Sequence, residues 1–323
     1  MKAVYTTCSF NHIGRALSLE GSVLGHAADT RFFIGLIDHT DDVPEKEGHE
    51  FISAADIGIP YFGEMCAKYG PMELSSALKP FFADHIFREY PEITELIYLD
   101  SDILVFHDLQ VIFDHLDTHS ILLTPHTFTS IASGNGYDDR NFLRCGIYNA
   151  GFFGVKNSVD GWAFLNWWMG KLRNEGFYDS KRGMFADQLW LNLVPVYFKG
   201  VKVLDDPGCN VAYWNLHERQ ISEKDGKFFV NGDTPLVFYH FSGAAMDCLD
   251  SDRLSVHHKT YSFTSRPDVR PLFVRYVDEL NRQEFGKYSG YYTINSRIKV
   301  RSPLLIRFLG LYKSLLKKFV YVR

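Results

Sequence analysis

Two carboxylates flank a single residue at Asp100-Ser101-Asp102, directly after the apolar run 96–99. In an extended chain, residues i and i+2 point to the same side, so both carboxylates can reach one site at the end of a strand. Adjacent carboxylates repel each other unless a cation neutralises them, and hard divalent cations prefer oxygen ligands. The segment therefore predicts a metal site, with a solvated turn after the strand as the alternative.

A phosphohydrolase whose first aspartate becomes phosphorylated also carries two aspartates in this arrangement at a strand end. In that class the motif usually lies near the N-terminus and is often followed by Gly or Thr. Here Asp100 lies far from the N-terminus, and the apolar run 103–106 continues as strand. These features disfavour a phosphohydrolase, which stays a third hypothesis.

Three further motifs follow the aspartates in order, at 148–151 (YNAG), 187–188 (DQ) and 240–243 (HFSG). Their order and spacing resemble glycosyltransferase family 8, the group of GT-A enzymes that includes lipopolysaccharide galactosyltransferases and glycogenin. The resemblance covers about residues 3–245. It implies transfer of a sugar from a nucleotide-sugar donor, with UDP favoured, to a saccharide acceptor, with retention at the anomeric carbon, in surface polysaccharide or lipopolysaccharide synthesis. A nucleotide-sugar-binding protein without turnover is the runner-up.

The resemblance also implies the ligands of the cation. Asp100, Asp102 and His240 would bind Mn²⁺ or Mg²⁺ at the donor diphosphate, and the imidazole favours manganese. Without the resemblance, His240 would be interpreted as a buried histidine of a core strand. Ser101 and Gly243 are expected to contact the donor, Gly243 because it gives the backbone room near a phosphate.

Four other residues receive roles from the same resemblance. Lys79, on a predicted helix, would offset charge on the diphosphate, unless it is a solvated lysine. Asn149 and Asp187 would bind hydroxyls of the donor sugar, although Asp also favours helix N-caps. Gln188 would lie near the anomeric carbon and, with Asp187, form the catalytic pair. Because a neutral amide is a weak nucleophile, Gln188 is expected to stabilise or orient.

The sequence departs from the family at two places. A Lys that touches the leaving phosphate usually follows His-x-x-Gly, whereas this chain has AAMD at 244–247. Lys259 and Arg253 are the candidate substitutes, or the phosphates depend more on the metal. The family's first strand usually leads to an Asp and an Asn that hold the nucleoside. Here the Asp is missing, so Thr7 and Asn11 are the candidate nucleotide contacts.

The elements that must position these residues alternate between strand and helix over the first hundred residues, which is typical of a mostly parallel sheet covered by helices. We predict an α/β GT-A (Rossmann-like) mixed sheet in a catalytic domain at 1–265, followed by a helical tail at 266–323. The predicted strands are 3–7, 31–37, 96–99, 146–155 and 236–241. The predicted helices are 15–24, one from about Ser75 with Pro80 near its first turn, 161–174 and one that begins in 185–193.

Composition restricts the function classes. A hydrophobic content of 46% and an aromatic content of 15% indicate a globular enzyme. The five cysteines form no CxxC motif, which indicates a reducing compartment. The first residues lack an apolar signal core, and no apolar run approaches the length of a membrane span. We therefore expect a cytoplasmic protein, and its acidic balance disfavours nucleic acid as a partner.

The last part of the chain has the opposite charge. Residues 285–323 contain nine Lys or Arg and no Asp or Glu. On a helix at 303–320, one arc collects Arg307, Gly310, Lys313, Ser314, Lys317 and Lys318 opposite apolar residues. Such a helix suits an anionic membrane surface. It predicts peripheral attachment at the inner face of the plasma membrane and a lipid-linked saccharide acceptor, with packing on the acidic body of the enzyme as the alternative.

Overall fold

The computed structural model describes residues 1–38, 48–132 and 138–290. Its strands are β1 (Lys2–Cys8), β2 (Arg31–Leu36), β3 (Glu50–Ser53), β4 (Glu95–Leu99), β5 (Ile103–Val105), β6 (Ile121–Pro125), β7 (Tyr148–Lys156), β8 (Tyr178–Asp179), β9 (Met184–Phe185), β10 (Val201–Val203), β11 (Ile221–Lys224), β12 (Lys227–Val230), β13 (Thr234–Pro235) and β14 (Phe238–His240). Its helices are α1 (Ile13–Leu24), α2 (Phe62–Lys68), α3 (Pro71–Glu89), α4 (Gln110–Leu116), α5 (Asp139–Cys145), α6 (Val159–Glu175), α7 (Val194–Tyr197), α8 (Arg270–Arg282) and α9 (Phe285–Ser289).

Seven strands form the main sheet in the order β10-β6-β7-β4-β1-β2-β3. β1, β2, β3 and β4 run parallel, as do β6 and β10, whereas β7 is antiparallel to both of its neighbours. The predicted fold class, a mixed and mostly parallel sheet flanked by helices, is confirmed. β4 is buried along its whole length, as the apolar run 96–99 predicts for a central strand.

Each face of the sheet carries a hydrophobic core. On one face, α3 and α6 cover a layer of aromatic rings in which Tyr98 and Phe153 stack with centroids 5.2 Å apart. On the other face, α1 and α4 cover aliphatic residues such as Ile97 and Leu99. Side chains of adjacent β4 residues therefore anchor in both layers. Burial of each such side chain stabilises the fold by about 1.5–3 kcal/mol, which holds the end of β4 in place.

The helix predicted from about Ser75 begins earlier and contains its proline in the interior. α3 begins at Pro71, so Pro71 and not Pro80 occupies the first turn, where a missing N–H is tolerated. The backbone N–H of Gly70 donates to Glu73 Oε2 at 2.8 Å and closes this end of the helix. The earlier start places Lys79 in the middle of a long buried helix rather than near its beginning.

The helix predicted to begin in 185–193 begins later than residue 185, and its first part is a 3-10 helix rather than an α-helix. Residues 184–185 form β9, which pairs with β8, and a 3-10 helix follows at Gln188–Leu193 before the short helix α7. Ala186, between β9 and the 3-10 helix, has a φ of 47°, which an α-helix does not accommodate. This turn separates the strand from Asp187 and Gln188 and directs the pair inward.

The chain beyond the main sheet adds smaller sheets and two helices. β14 pairs with β5 in a two-stranded sheet, and β11, β12 and β13 form a three-stranded sheet that the sequence did not predict. Phe241, after β14, stacks on Tyr276 of α8 with ring centroids 4.0 Å apart, and Phe273 of α8 packs against the same ring. The described start of the predicted C-terminal tail is thus part of the hydrophobic core, and a domain boundary at residue 265 stays a prediction.

The predicted amphipathic helix at 303–320 lies outside the described residues. Among the helices that the structure does describe, none has the length and apolarity required to cross a bilayer.

Candidate active site

The two aspartates lie in a tight turn between the main sheet and the β5–β14 pair. The Asp100 N–H donates to the Gly151 carbonyl of β7 at 2.8 Å, and the Ile103 N–H donates back to the Asp100 carbonyl at 3.1 Å. β14 runs antiparallel to β5 with His240 opposite Ile103, and the Phe241 N–H donates to the Asp102 carbonyl at 2.8 Å. This register brings His240 beside the aspartates.

The side chains of Asp100, Asp102 and His240 meet at one point. Their ligand atoms lie within 4.8 Å of one another. His240 Nε2 lies 3.0 Å from Asp102 Oδ1 and 3.9 Å from Asp100 Oδ2. Ligands at about 2.1 Å from a divalent cation are separated by about 3 Å when adjacent, so this donor set of two carboxylates and one imidazole fits such a cation. The three predicted metal ligands are brought together.

His240 is held by its neighbours rather than by a second hydrogen bond. A Cβ on Gly151 would lie 2.4 Å from His240 Cε1, so only glycine leaves room for the imidazole ring against β7. Trp214 also packs edge-on against the ring, with centroids 5.1 Å apart. Nδ1 is buried and finds no hydrogen-bond partner within the described ranges. The ring is therefore fixed with Nε2 toward the carboxylates.

The charges of the triad compensate one another. Burial lowers the pKa of His240, but the Asp102 and Asp100 carboxylates raise it, and the net result is a pKa above the ordinary value. Burial raises the pKa of Asp102, but the opposite effect of His240 and Arg15 is larger. The net result is a pKa well below the usual range. Because a metal binds only the neutral imidazole, a cation and a proton compete for His240.

Lys79 connects the aspartate turn to Asp187. Its Nζ lies 2.9 Å from Asp187 Oδ2 and 3.1 Å from Asp100 Oδ1, and it donates to the Ala150 carbonyl at 2.9 Å. Burial lowers the pKa of Lys79, but the two carboxylates outweigh burial and raise it. Its side chain is 5% exposed, which excludes the alternative of a solvated lysine. Asp187 precedes the 3-10 helix but makes no capping hydrogen bond with its side chain.

The hydroxyl of Tyr98 links Asp100 to the first strand. It donates to Asp100 Oδ1 at 2.6 Å, and Thr7 Oγ1 lies 3.1 Å from the same hydroxyl oxygen. Thr7, predicted to contact the nucleotide, therefore also orients Tyr98. Asn11, the other predicted contact, accepts a hydrogen bond from Ser9 Oγ at 2.5 Å.

Asn149 and Gln188 engage each other behind the triad. Gln188 Oε1 accepts from Asn149 Nδ2 at 3.1 Å and from the Ala150 N–H at 3.2 Å, while Gln188 Nε2 donates to the Cys145 carbonyl at 2.9 Å. Asn149 Nδ2 also lies 3.2 Å from Nε2 of the buried His126. Both ends of the Gln188 amide are thus engaged by the protein.

A cleft of about 830 Å³ opens over these groups, within the range typical of small-ligand sites. All predicted site residues except Asp187 line it, and Gly243 does so with a φ of 69°. Neither Arg253 nor Lys259, the predicted substitutes for the missing lysine, lines it. Arg253 instead donates to the carbonyls of its neighbours in the loop 255–256.

Sequence reasoning missed several residues that line this cleft: His12, Arg15, Met72, Phe185 and His257. Arg15 carries the most chemical interest, because its Nη1 lies 3.8 Å from Asp102 Oδ2. The available signal was that Arg15 is a charged residue at the start of the predicted helix 15–24, directly after the first strand.

No family model matches the chain. Two proteins of Bacillus subtilis strain 168, both described as uncharacterised, are similar in sequence. YfnD is 26% identical over 286 residues, which are 86% of this chain and 88% of YfnD. YfnF is 29% identical over 196 residues, which are 61% of this chain. The chain spans 64% of the length of YfnF.

Several solved structures of glycosyltransferases are similar to the chain. The galactosyltransferase LgtC, in complex with donor and acceptor sugar analogs, is 14% identical with a TM-score of 0.47, over 90% of this chain and 97% of LgtC. The glycosyltransferase GlyE of Streptococcus pneumoniae TIGR4 is 18% identical with a TM-score of 0.39, over 64% of this chain and 45% of GlyE. The ordered motifs at 100–102, 148–151, 187–188 and 240–243 resemble those of glycosyltransferase family 8.

Proposed function

We propose that this protein is a metal-dependent glycosyltransferase that moves a sugar from a nucleotide-sugar donor to a saccharide acceptor. The observation that carries the proposal is the convergence of Asp100, Asp102 and His240 at the floor of a cleft of ligand size. Three such donors beside a cleft are suited to a divalent cation that binds a diphosphate. Manganese is the preferred cation because the imidazole joins two carboxylates.

The cation, when bound, supplies Lewis-acid stabilisation of the negative charge that develops on the departing nucleoside diphosphate. The neighbouring side chains hold the site's carboxylates in position. Lys79 holds Asp100 and Asp187 in fixed places by ion pairs, and Tyr98 fixes Asp100 through its hydroxyl. These ion pairs and this hydrogen bond hold the carboxylates in fixed positions, and fixed polar groups are how enzymes stabilise developing charge effectively.

The donor sugar is proposed to lie between the triad and the surface formed by Asn149 and Gln188. Gln188 is a stabilising or orienting residue in this proposal, since its amide is engaged by Cys145, Asn149 and Ala150 and is neutral. Because Asp187 Oδ2 lies 2.9 Å from Lys79 Nζ, we propose that Asp187 would accept from a sugar hydroxyl through its other carboxylate oxygen. Retention at the anomeric carbon and UDP as the nucleotide follow the resemblance to family 8.

The acceptor is proposed to be a saccharide of a surface glycan. A lipid-linked saccharide would agree with the basic sequence at 303–320, whose arrangement suits an anionic membrane surface. Sedimentation with anionic liposomes tests this part separately, by comparing the full chain with a truncation at about Ser302. Equal binding of both forms would refute a membrane role for the tail.

A thermal-shift screen tests the function. The full chain is heated with UDP-, GDP- or ADP-sugars, with and without Mn²⁺, and the stabilised donor is then followed for transfer or slow hydrolysis by NMR. We expect stabilisation that requires both the metal and one nucleotide class, followed by release of a sugar with retained configuration. Stabilisation without any turnover would favour a binding protein. Hydrolysis of simple phosphate esters with no donor effect would favour a phosphohydrolase.

A further inference from the structure

Arg15 is the residue of the cleft whose charge has no assigned role. It lies in the first turn of α1, and its side chain is 17% exposed. One terminal nitrogen, Nη2, donates to the Ala244 carbonyl at 3.1 Å. The other, Nη1, lies 3.8 Å from Asp102 Oδ2, which is too far for a hydrogen bond. Nε is buried and has no hydrogen-bond partner within the described ranges.

We propose that the guanidinium of Arg15 binds the terminal phosphate of the leaving nucleoside diphosphate. This inference rests on the proposed function and deepens it. Arginine suits the role because its planar fork of N–H groups matches phosphate oxygens and stays charged at any relevant pH. Its Nη1 lies beside Asp102 without reaching hydrogen-bond distance, which places the guanidinium next to any cation held by the triad.

The other lysine and arginine side chains described near the site either already contact oxygen acceptors or lie outside the cleft. Among the described residues that line the cleft, Lys79 is the one other lysine or arginine, and its Nζ contacts three oxygen acceptors already. Arg253 donates to backbone carbonyls of its own loop, and Lys259 lies exposed outside the cleft. Arg15 therefore takes the role of phosphate contact, for which Arg253 and Lys259 were the candidates predicted from the sequence.

Phe285 of α9 positions the guanidinium. Its ring centroid lies 5.3 Å from Arg15 Cζ, within the range of a cation–π contact. The close approach of α9 depends on Gly14, since a Cβ on that residue would lie 2.7 Å from Phe285 Cα. The Ala244 carbonyl, just after Gly243, fixes the other side of Arg15. The loop 244–247, which lacks the family's lysine, thus supplies the Ala244 carbonyl that orients Arg15 of α1.

The test compares nucleotides that differ by one phosphate. Calorimetry in Mn²⁺ measures UDP and UMP binding by the full chain, with GDP/GMP and ADP/AMP pairs if UDP does not bind. For Arg15→Gln we expect UDP binding at least tenfold weaker, UMP binding changed less than threefold, and Mn²⁺ binding without nucleotide not weakened. Arg15→Lys should recover part of the loss. Phe285→Leu should weaken UDP binding by a smaller factor than Arg15→Gln.

Lys259→Gln is the matched control for removal of a positive charge near the cleft, and it should bind UDP as the wild type does. Equal UDP affinity in Arg15→Gln and wild type would overturn the assignment. So would an equal loss for UDP and UMP, or a parallel loss of Mn²⁺ affinity, since Arg15 would then act through Asp102. A wild type that binds none of the three diphosphates with Mn²⁺ would instead refute the proposed function, and the role of Arg15 with it.

Discussion

The Nε2 atom of His240 lies 3.0 Å from Oδ1 of Asp102, and the antiparallel pairing of β14 with β5 creates this contact. Asp102 immediately precedes β5, and His240 is the last residue of β14. The proposed third ligand is therefore fixed by strand register rather than by a flexible loop. A metal site built this way needs little rearrangement to bind its cation, so changes in its supporting residues should alter metal affinity measurably.

Gly151→Ala should displace His240, because the new methyl group would lie 2.4 Å from His240 Cε1 and 2.8 Å from Nδ1. Overpacking of this kind costs about 1–3 kcal/mol of stability. We expect Mn²⁺ affinity, measured by calorimetry, to fall at least tenfold, with a native circular dichroism spectrum.

Gly170→Ala is the matched control for that change. Gly170 is exposed in α6 and a Cβ there would meet no atom within 4 Å, so alanine should leave Mn²⁺ binding unchanged and raise stability by up to about 1 kcal/mol. Unchanged Mn²⁺ affinity in Gly151→Ala would show that the position of His240 does not determine binding.

Lys79→Met should destabilise the fold, because it leaves the carboxylate of Asp187 buried without its ion-pair partner. Removing one partner of a buried pair typically costs about 3–5 kcal/mol. Chemical denaturation should show a loss of that order, and the double variant Lys79→Met/Asp187→Asn should recover part of it.

The double-mutant cycle separates the pair from the rest of the site. Asp100 is the other carboxylate on Lys79, but its side chain is 31% exposed and should contribute less. Additive effects of Lys79→Met and Asp187→Asn would indicate that the two groups do not stabilise each other.

His126 should make stability decline in mild acid. It packs against Phe142 and Trp214, its Nδ1 lies 3.0 Å from the Ile147 carbonyl, and burial lowers its pKa to about 4. The unfolded chain has the ordinary pKa of about 6.5 and binds the proton first as pH falls. This contribution is therefore complete above pH ~6.5 and is lost progressively down to pH ~4.

Urea denaturation at about pH 7 and about pH 5 measures this effect. Between these values His126 should account for about 2 kcal/mol of the loss in unfolding free energy. In His126→Gln, which cannot titrate, that part of the loss should disappear. An identical pH dependence in both proteins would contradict the prediction.

The sequence predicts those parts of the site that depend on local pattern. An apolar strand followed by Asp100 and Asp102 places two carboxylates at a sheet edge, and this was confirmed. The place of His240 in the same site required the resemblance to a family, because nothing local distinguishes a ligand from a buried core histidine. The predicted start of α3 is too late because a proline in the first turn is the local signal for a helix start, and Pro71 rather than Pro80 has that position.

Other features depend on contacts between distant segments and left no local signal. Arg15 is oriented by the Ala244 carbonyl and by Phe285, so its place in the cleft follows from the packing of α9 on α1. The commitment of the Gln188 amide to Cys145 and to β7 is likewise a tertiary contact. Local periodicity reports which face of an element is buried, but it does not report which distant group a polar side chain meets.

The most direct test of the central claim is a calorimetric titration of Mn²⁺ into the wild type and Asp102→Asn, followed by titration of UDP, or of whichever nucleoside diphosphate the screen selects. Asparagine keeps the shape of the side chain but lacks the charge that the cation requires. We predict that the wild type binds one Mn²⁺ and then the diphosphate. In Asp102→Asn both affinities should fall about a hundredfold, with a native circular dichroism spectrum. Wild-type affinities for Mn²⁺ and the diphosphate in Asp102→Asn would contradict the metal site proposed here.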